Sequence, residues 1–267
     1  MDMHSPTEIL QTVRKDQVLL VRLNNPKARN ALSEEMIELI TSVLEETAQS
    51  KDIRAVILAA SGPAFCAGHD LKGLTSHRQD DDQGHNYFSY LLTLCSDMMQ
   101  RIVELPQPVI AAVEGIASAA GCQLVASCDL AVASHSSRFC TPGVNIGVFC
   151  STPMVALSRN LSRKHAMEML TLGEMFSAED AHRFGLINRV VPDGQAEAEA
   201  LNLAQIIADK SHVALKIGKK AFYEQLEKPQ REAYRYVVEV MAENMMHQHA
   251  EEGINAFIEK RSPCWDK

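Results

Sequence analysis

The sequence has no apolar run that approaches 18 residues without polar interruption, which excludes an ordinary membrane-spanning helix. It has no excess of positive charge. The 26 lysines and arginines face 34 aspartates and glutamates, for a formal net charge of −8. That balance argues against nonspecific nucleic-acid binding. It has no Cys-x-x-Cys pair, and its seven cysteines are an odd number, a pattern of reduced thiols rather than a disulfide framework. The H-E-x-x-H, P-loop and G-x-G-x-x-G patterns are all missing, so no metal site or common nucleotide loop is legible. His247 and His249 stand at i and i+2, a spacing that does not share a helical face. No secretory leader is visible, and Met1–Lys15 is too poor in arginine and serine for a good mitochondrial presequence.

What is present reads as one α/β domain. The 267 residues are 46% hydrophobic and 22% charged, ordinary for a globular chain. Gln17–Leu23 reads as a strand broken by Asn24-Asn25-Pro26. Ser33 can cap a helix whose apolar face is Met36, Ile37, Ile40, Val43 and Leu44. Ala55–Ala59 and Val109–Val113 are apolar without alternation, as strands buried on both faces are. Thr75–Gly84, with aspartates at 80, 81 and 82, reads as a mobile surface segment before a helix from about Tyr87 to Leu105. A short helix is expected around Cys122–Ser127, a strand at Asp129–Ala133, mostly loop over Phe139–Ser151, and helices over 153–184. Ser177 and Asp180 form a pair of the capping-box kind. From Gln195 the pattern is helical in three or four segments.

Two loops follow buried strands. One is Ala64 to Leu71, with Gly68 available for a tight turn. The other runs from Val113 through Gly115, Ala119, Ala120 and Gly121 into a helix, where backbone N–H groups and the helix N-terminus can face a ligand. One N–H from each loop could form an oxyanion hole.

In combination these segments resemble the crotonase (enoyl-CoA hydratase/isomerase) superfamily over most of the chain. Asn24 through Leu32 resembles its CoA-contact segment, Phe65 through Leu71 its first oxyanion loop, and Pro108 through Asp129 its second. Gly173 through Gly185 and Glu252 through Arg261 resemble the helix after its active site and its C-terminal segment. The resemblance implies a spiral of β-β-α units with a C-terminal helical trimerisation region, divided as 1–194 and 195–267 within one functional domain. It implies a homotrimer or hexamer, an acyl-CoA thioester ligand and no tightly bound cofactor. A mitochondrial location is implied, with a cytoplasmic one left open. The thioester oxygen would accept from the N–H groups of His69 and Ala120. Lys27, Ala28, Arg29, Ala67, His69, Asp70, Leu71, Ala120, Lys260 and Arg261 would contact substrate or CoA. At Ala120 the chain reads Ala-Ala-Gly where many relatives have three glycines, and a positive φ there would disfavour alanine.

The departure lies in the acids. The superfamily's hydratases use two glutamates, and the matching positions here are Gln123 and Gly143. Its dienoyl-CoA isomerases use a further acid, where this chain has Ser151. A carboxamide can orient water but cannot exchange a proton as a carboxylate does. Each lost acid–base group removes roughly 10²–10⁴-fold in rate, so classical hydration should be weak or absent. His69, His85, Tyr87, Cys122, Cys140, Cys150 and Glu114 are substitutes to be weighed, each with an ordinary packing, solvated-loop or capping role as the alternative. The Gly115, Ser118 and Gly121 spacing is not that of a hydrolase nucleophile elbow. Three readings follow: a noncatalytic acyl-CoA binder of lipid metabolism, an enzyme of another CoA-thioester reaction (isomerase, decarboxylase or thioesterase), or a partner-binding subunit with a vestigial pocket.

Overall fold

The computed structural model describes residues 9–265. The chain begins with a hairpin: β1 (Leu10–Lys15) pairs antiparallel with β2 (Val18–Leu23), Leu10 opposite Leu23. Ser33 caps α1 (Glu34–Gln49), its side chain accepting from the Met36 N–H. Six strands then come in three pairs, each pair followed by helix. β3 (Ala55–Ala60) and β4 (Ala64–Cys66) precede α2 (Leu71–Ser76) and α3 (His85–Glu104). β5 (Val109–Val113) and β6 (Ile116–Ser118) precede α4 (Ala120–Ser127). In the same way β7 (Leu130–Ser134) and β8 (Arg138–Cys140) precede α5 (Ser151–Asn160) and α6 (Arg163–Leu172). The short β9 (Phe176–Ser177), α7 (Ala178–Phe184) and β10 (Arg189–Val191) complete the spiral. Then come α8 (Ala196–Ala208), α9 (His212–Leu226), α10 (Gln230–Met245) and α11 (Gln248–Ile258).

The first strand of each pair joins one sheet and the second joins another. The orders are β1-β2-β3-β5-β7-β10 and β4-β6-β8-β9. Apart from β1 and β9, which pair antiparallel, the ladders are parallel. Each turn of the spiral therefore adds one strand to each sheet, which is the expected β-β-α repeat.

Burial explains the unbroken apolar strands. In β3, Val56 and Leu58 face the main core while Ala55, Ile57 and Ala59 face a second apolar cluster. That second cluster is closed by α8 through Ala196, Ala200 and Ala204, spaced one helical turn apart. The next helix, α9, is pinned by a buried cation: Lys219 Nζ donates to the carbonyls of Ile102 (3.0 Å) and Gln107 (3.1 Å) and to Asp129 (2.6 Å). Asp129 also accepts from Tyr223 (2.9 Å) and from the Val109 N–H (2.7 Å).

Several elements differ from the sequence expectation. β1 lies within the stretch read only as a polar N-terminus, because an edge strand that exposes Val13, Arg14 and Lys15 shows no apolar alternation. Part of Phe139–Ser151 belongs to β8 and to a 3-10 turn, Pro142–Ile146. β9 interrupts the helical span 153–184. The Thr75–Gly84 segment lies largely at the surface, as expected, and carries local contacts: His77 stacks on Tyr87 at 3.5 Å and meets Asp80 at 2.8 Å.

Candidate active site

The first loop is held by the segment before α1. Asn30 is fully buried in the left-handed conformation (φ 53°), and its carboxamide is spent on backbone. Its Oδ1 accepts from the Asn25 N–H (2.8 Å), and its Nδ2 donates to the carbonyls of Ser61 (2.9 Å) and Ala64 (2.8 Å). The Ala67 N–H donates to Arg29 O (3.0 Å) and the Leu32 N–H to Gly68 O (2.8 Å). These bonds bring the exposed Lys27, Ala28 and Arg29 beside Ala67, His69 and Asp70. Asp70 caps α2 by accepting from the Lys72 N–H at 3.0 Å, and Leu71 is exposed.

The two loops lie directly on each other. A Cβ on Gly121 would stand 2.2 Å from the Cys66 carbonyl oxygen, so only glycine allows this approach. A Cβ on Gly68, which has φ +94°, would stand 3.0 Å from Ala119 Cβ and 3.5 Å from the Ala120 nitrogen. Ala120 is the first residue of α4, where an N–H has no acceptor within the helix. Neither its N–H nor that of His69 donates in the turn and loop hydrogen bonds of the described residues. The positive φ falls one residue earlier than the sequence pattern suggested. Ala119 has φ 50° and ψ −115°, and Ala120 is helical. Ala119 is held there by its N–H to Cys140 O (2.9 Å) and by its carbonyl, which accepts from the Gln123 N–H (3.0 Å).

The side chains of His69 and Gln123 lie at this junction. His69 Nδ1 lies 3.4 Å from Leu32 O, and Nε2 is buried without a partner. Burial holds the imidazole below the usual histidine range, with the Leu32 carbonyl opposing in part. Gln123 is 4% exposed, and its Oε1 is buried without a partner. Gly143 is buried, and a Cβ there would stand 2.4 Å from Val148 O and 2.9 Å from Cys150 Sγ. The position is therefore closed to any side chain. Ser151 begins α5 and is exposed, with its Oγ 3.4 Å from Phe149 O.

Burial raises the thiol pKa values of Cys122, Cys140 and Cys150, which makes poor nucleophiles of them. Cys66 is pushed up to about 12 for the same reason. Glu114 accepts from the N–H groups of Gly194 (3.2 Å) and Ala196 (3.0 Å), a capping role at the start of α8. His85 is exposed. Tyr87 is partly buried and hydrogen-bonded to Glu34, which also accepts from the Tyr90 hydroxyl at 3.0 Å. Glu34 was not singled out in the sequence, because a carboxylate in a first helical turn reads as dipole compensation. Arg261 is engaged within the C-terminal segment, donating to Glu252 (2.6 and 3.0 Å) and Glu259 (2.6 Å), and Lys260 is exposed. The structure thus joins Arg29 and Leu32 to the Ala67–His69 loop and sets that loop against Ala120, and it ties Arg261 to α11.

The junction can present N–H donors to a carbonyl oxygen. The three positions Gln123, Gly143 and Ser151 supply no carboxylate to move a proton. Among the described residues no three His, Cys, Asp or Glu side chains could hold a metal ion, and no helix is long and apolar enough to cross a membrane.

Comparison with known proteins agrees with the fold. The family model described as enoyl-CoA hydratase/isomerase matches residues 13–267. The chain is 46% identical to enoyl-CoA hydratase domain-containing protein 3, mitochondrial, of Mus musculus, over 98% of this chain and 85% of that protein. It is 34% identical to an enoyl-CoA hydratase of Mycobacterium tuberculosis, over 94% of this chain and 93% of that one. The crystal structure of human enoyl-CoA hydratase domain-containing protein 3 superposes with a TM-score of 0.91 at 43% identity, covering 96% of this chain and all of that one (100%). The crystal structure of a Mycobacterium smegmatis enoyl-CoA hydratase also gives 0.91, at 47% identity, covering 97% of this chain and 99% of that one. With the two-sheet spiral and the paired loops in place, the chain belongs to the enoyl-CoA hydratase/isomerase family.

Proposed function

We propose that this protein binds an acyl-CoA thioester and does not hydrate it at an enzymatic rate. The observation that carries this reading is Gly143. The place of one of the family's glutamates is filled by the Val148 carbonyl and the Cys150 thiol. Gln123 stands at the other, and its amide cannot exchange a proton. The N–H groups of His69 and Ala120 hold the thioester oxygen, and Lys27 and Arg29 face the CoA phosphates. No separate, tightly bound cofactor is required. The C-terminal helices build a homotrimer or hexamer, in which Lys260 or Arg261 of a neighbouring copy adds to the CoA site. The protein acts in mitochondrial fatty-acid metabolism.

A second reading is supported by Glu34. This carboxylate, held by Tyr87 and Tyr90, lies two residues from Leu32, which is bridged to His69. An enzyme of another CoA-thioester reaction could draw its proton-handling group from there. Calorimetric titration with CoA and several acyl-CoAs, paired with a turnover screen, decides. Acyl-CoA binding with no hydration of crotonyl-CoA supports the first reading. Turnover of another thioester that Glu34→Gln abolishes supports the second. Absence of any acyl-CoA binding overturns both and leaves a vestigial pocket.

A further inference from the structure

Two consecutive residues, Arg29 and Asn30, stand in the left-handed region, each at φ 53°. L-residues adopt that region at a cost, asparagine at one of the smaller ones, and keep it where the surroundings over-determine it. Here the Asn30 carboxamide supplies the determination. Its Nδ2 donates to Ser61 O and Ala64 O, and its Oδ1 accepts from the Asn25 N–H. The Asn30 N–H also donates to Asn25 O at 2.9 Å, so two bonds between residues 25 and 30 close the exposed turn 26–29. The side chain is fully buried and both of its donor hydrogens are spent.

From Asn30 the constraint passes to one peptide unit. On one side of it Arg29 O accepts from the Ala67 N–H at 3.0 Å, and on the other the Leu32 N–H donates to Gly68 O at 2.8 Å. Gly68 O and the His69 N–H belong to the same planar trans peptide and point in opposite directions. The bond from Leu32 therefore sets the direction of the His69 N–H. The second donor is aimed differently. Ala119 O and the Ala120 N–H share a peptide, and Ala119 O accepts from the Gln123 N–H at 3.0 Å, within the first turn of α4. A helix aims one donor. A chain of backbone bonds, anchored by a single side chain, aims the other.

We propose that Asn30 is a positioning residue, the side chain that aims the His69 N–H at the thioester oxygen, a role that rests on the acyl-CoA-binding reading above. Asn30 lies outside both loops and acts through Leu32 and Gly68. The left-handed pair is then strain held where a donor needs a fixed direction.

The test is the ¹³C resonance of crotonyl-CoA labelled at the thioester carbonyl, read at saturating protein. Asn30→Gly accepts the left-handed φ and removes the three side-chain bonds. Asn30→Asp keeps the shape and turns a carboxylate oxygen toward the Ser61 and Ala64 carbonyls. In both variants the carbonyl should lose about half of its native displacement, because one of two donors is misaimed. Both should bind the thioester about twofold to tenfold more weakly, the worth of a neutral hydrogen bond. Lys219→Met removes the cation that pins α9, which bonds to neither loop, and should keep the full displacement. A second measurement uses the native protein alone. A hydrogen bond from the His69 N–H polarises the Gly68 carbonyl and strengthens its bond from Leu32. The Leu32 amide proton should therefore move downfield with crotonyl-CoA and not with CoA. Full displacement in the folded Asn30 variants, or a Leu32 amide that crotonyl-CoA moves no further than CoA does, overturns the proposal and leaves acyl-CoA binding standing. An equal loss in Lys219→Met also overturns it. A carbonyl that the native protein leaves unmoved overturns the underlying reading as well.

Discussion

Gly143 offers the sharpest perturbation. It does not have a positive φ, so alanine meets no backbone penalty, and the outcome depends on space alone. The added Cβ would sit 2.4 Å from Val148 O and 2.9 Å from Cys150 Sγ. Carbon contacts are comfortable at about 3.5–4.0 Å, so the Val148 backbone must move by roughly 1 Å. Its position is tied by the Val148 N–H to Gly143 O bond at 2.9 Å, so the displacement strains the whole 3-10 turn. Overpacking of this kind costs about 1–3 kcal/mol. For a chain of this size that lowers Tm by roughly 2–12 °C. Differential scanning fluorimetry of Gly143→Ala reads it directly. Gly143→Glu should be worse, and the pair Gln123→Glu with Gly143→Glu should still fail to hydrate crotonyl-CoA, because the carboxylate enters a distorted loop. A Gly143→Ala variant with unchanged Tm, or a double variant with normal hydratase turnover, refutes the claim that this position is closed.

Three further outcomes follow from the same geometry. Ala119→Gly relieves a conformation worth about 1–3 kcal/mol of strain and adds about 0.5–1 kcal/mol of chain freedom to the unfolded state. Its urea midpoint should therefore rise or stay level, and a clear fall would contradict the strain. Lys219→Met leaves the Asp129 carboxylate buried without its cation, at a cost of about 3–5 kcal/mol; a denaturation curve like that of the native protein would count against the pinning of α9. His69 has a folded-state pKa below its unfolded value. As pH falls through about 6.5 the unfolded chain takes up a proton that the folded chain refuses, so this residue's contribution declines from there to the folded pKa and is constant above. The urea midpoint of the native protein should drop more between pH 7 and 5 than that of His69→Gln, and equal drops would sink the assignment.

The sequence announces its long buried elements because their signals are local. Ala55–Ala60 and Val109–Val113 are apolar without alternation since both faces are covered. Ser33 and the Ser177–Asp180 pair are visible caps, and the structure makes both, with the Asp180 N–H donating to Ser177 Oγ at 3.0 Å. The second sheet is another matter. β4, β6 and β8 have three residues each, too few to show a period, and they exist through pairing with one another. At the site, the glycines of the two loops are legible as turns, but their contact with each other is a long-range fact. Gly143 shows the limit best. In the sequence it is a missing side chain, which suggests a vacancy. In the structure a carbonyl and a thiol already fill that vacancy. The strain attached to the alanine pair falls on Ala119 and not on Ala120, a difference set by where α4 begins.

One measurement bears most directly on the central claim. Crotonyl-CoA labelled with ¹³C at the thioester carbonyl is mixed with stoichiometric protein and followed by NMR. Binding through the His69 and Ala120 N–H groups predicts a shifted carbonyl resonance and a persistent enoyl spectrum. Conversion to 3-hydroxybutyryl-CoA at an enzymatic rate, or a carbonyl resonance that does not move at saturating protein, would contradict it.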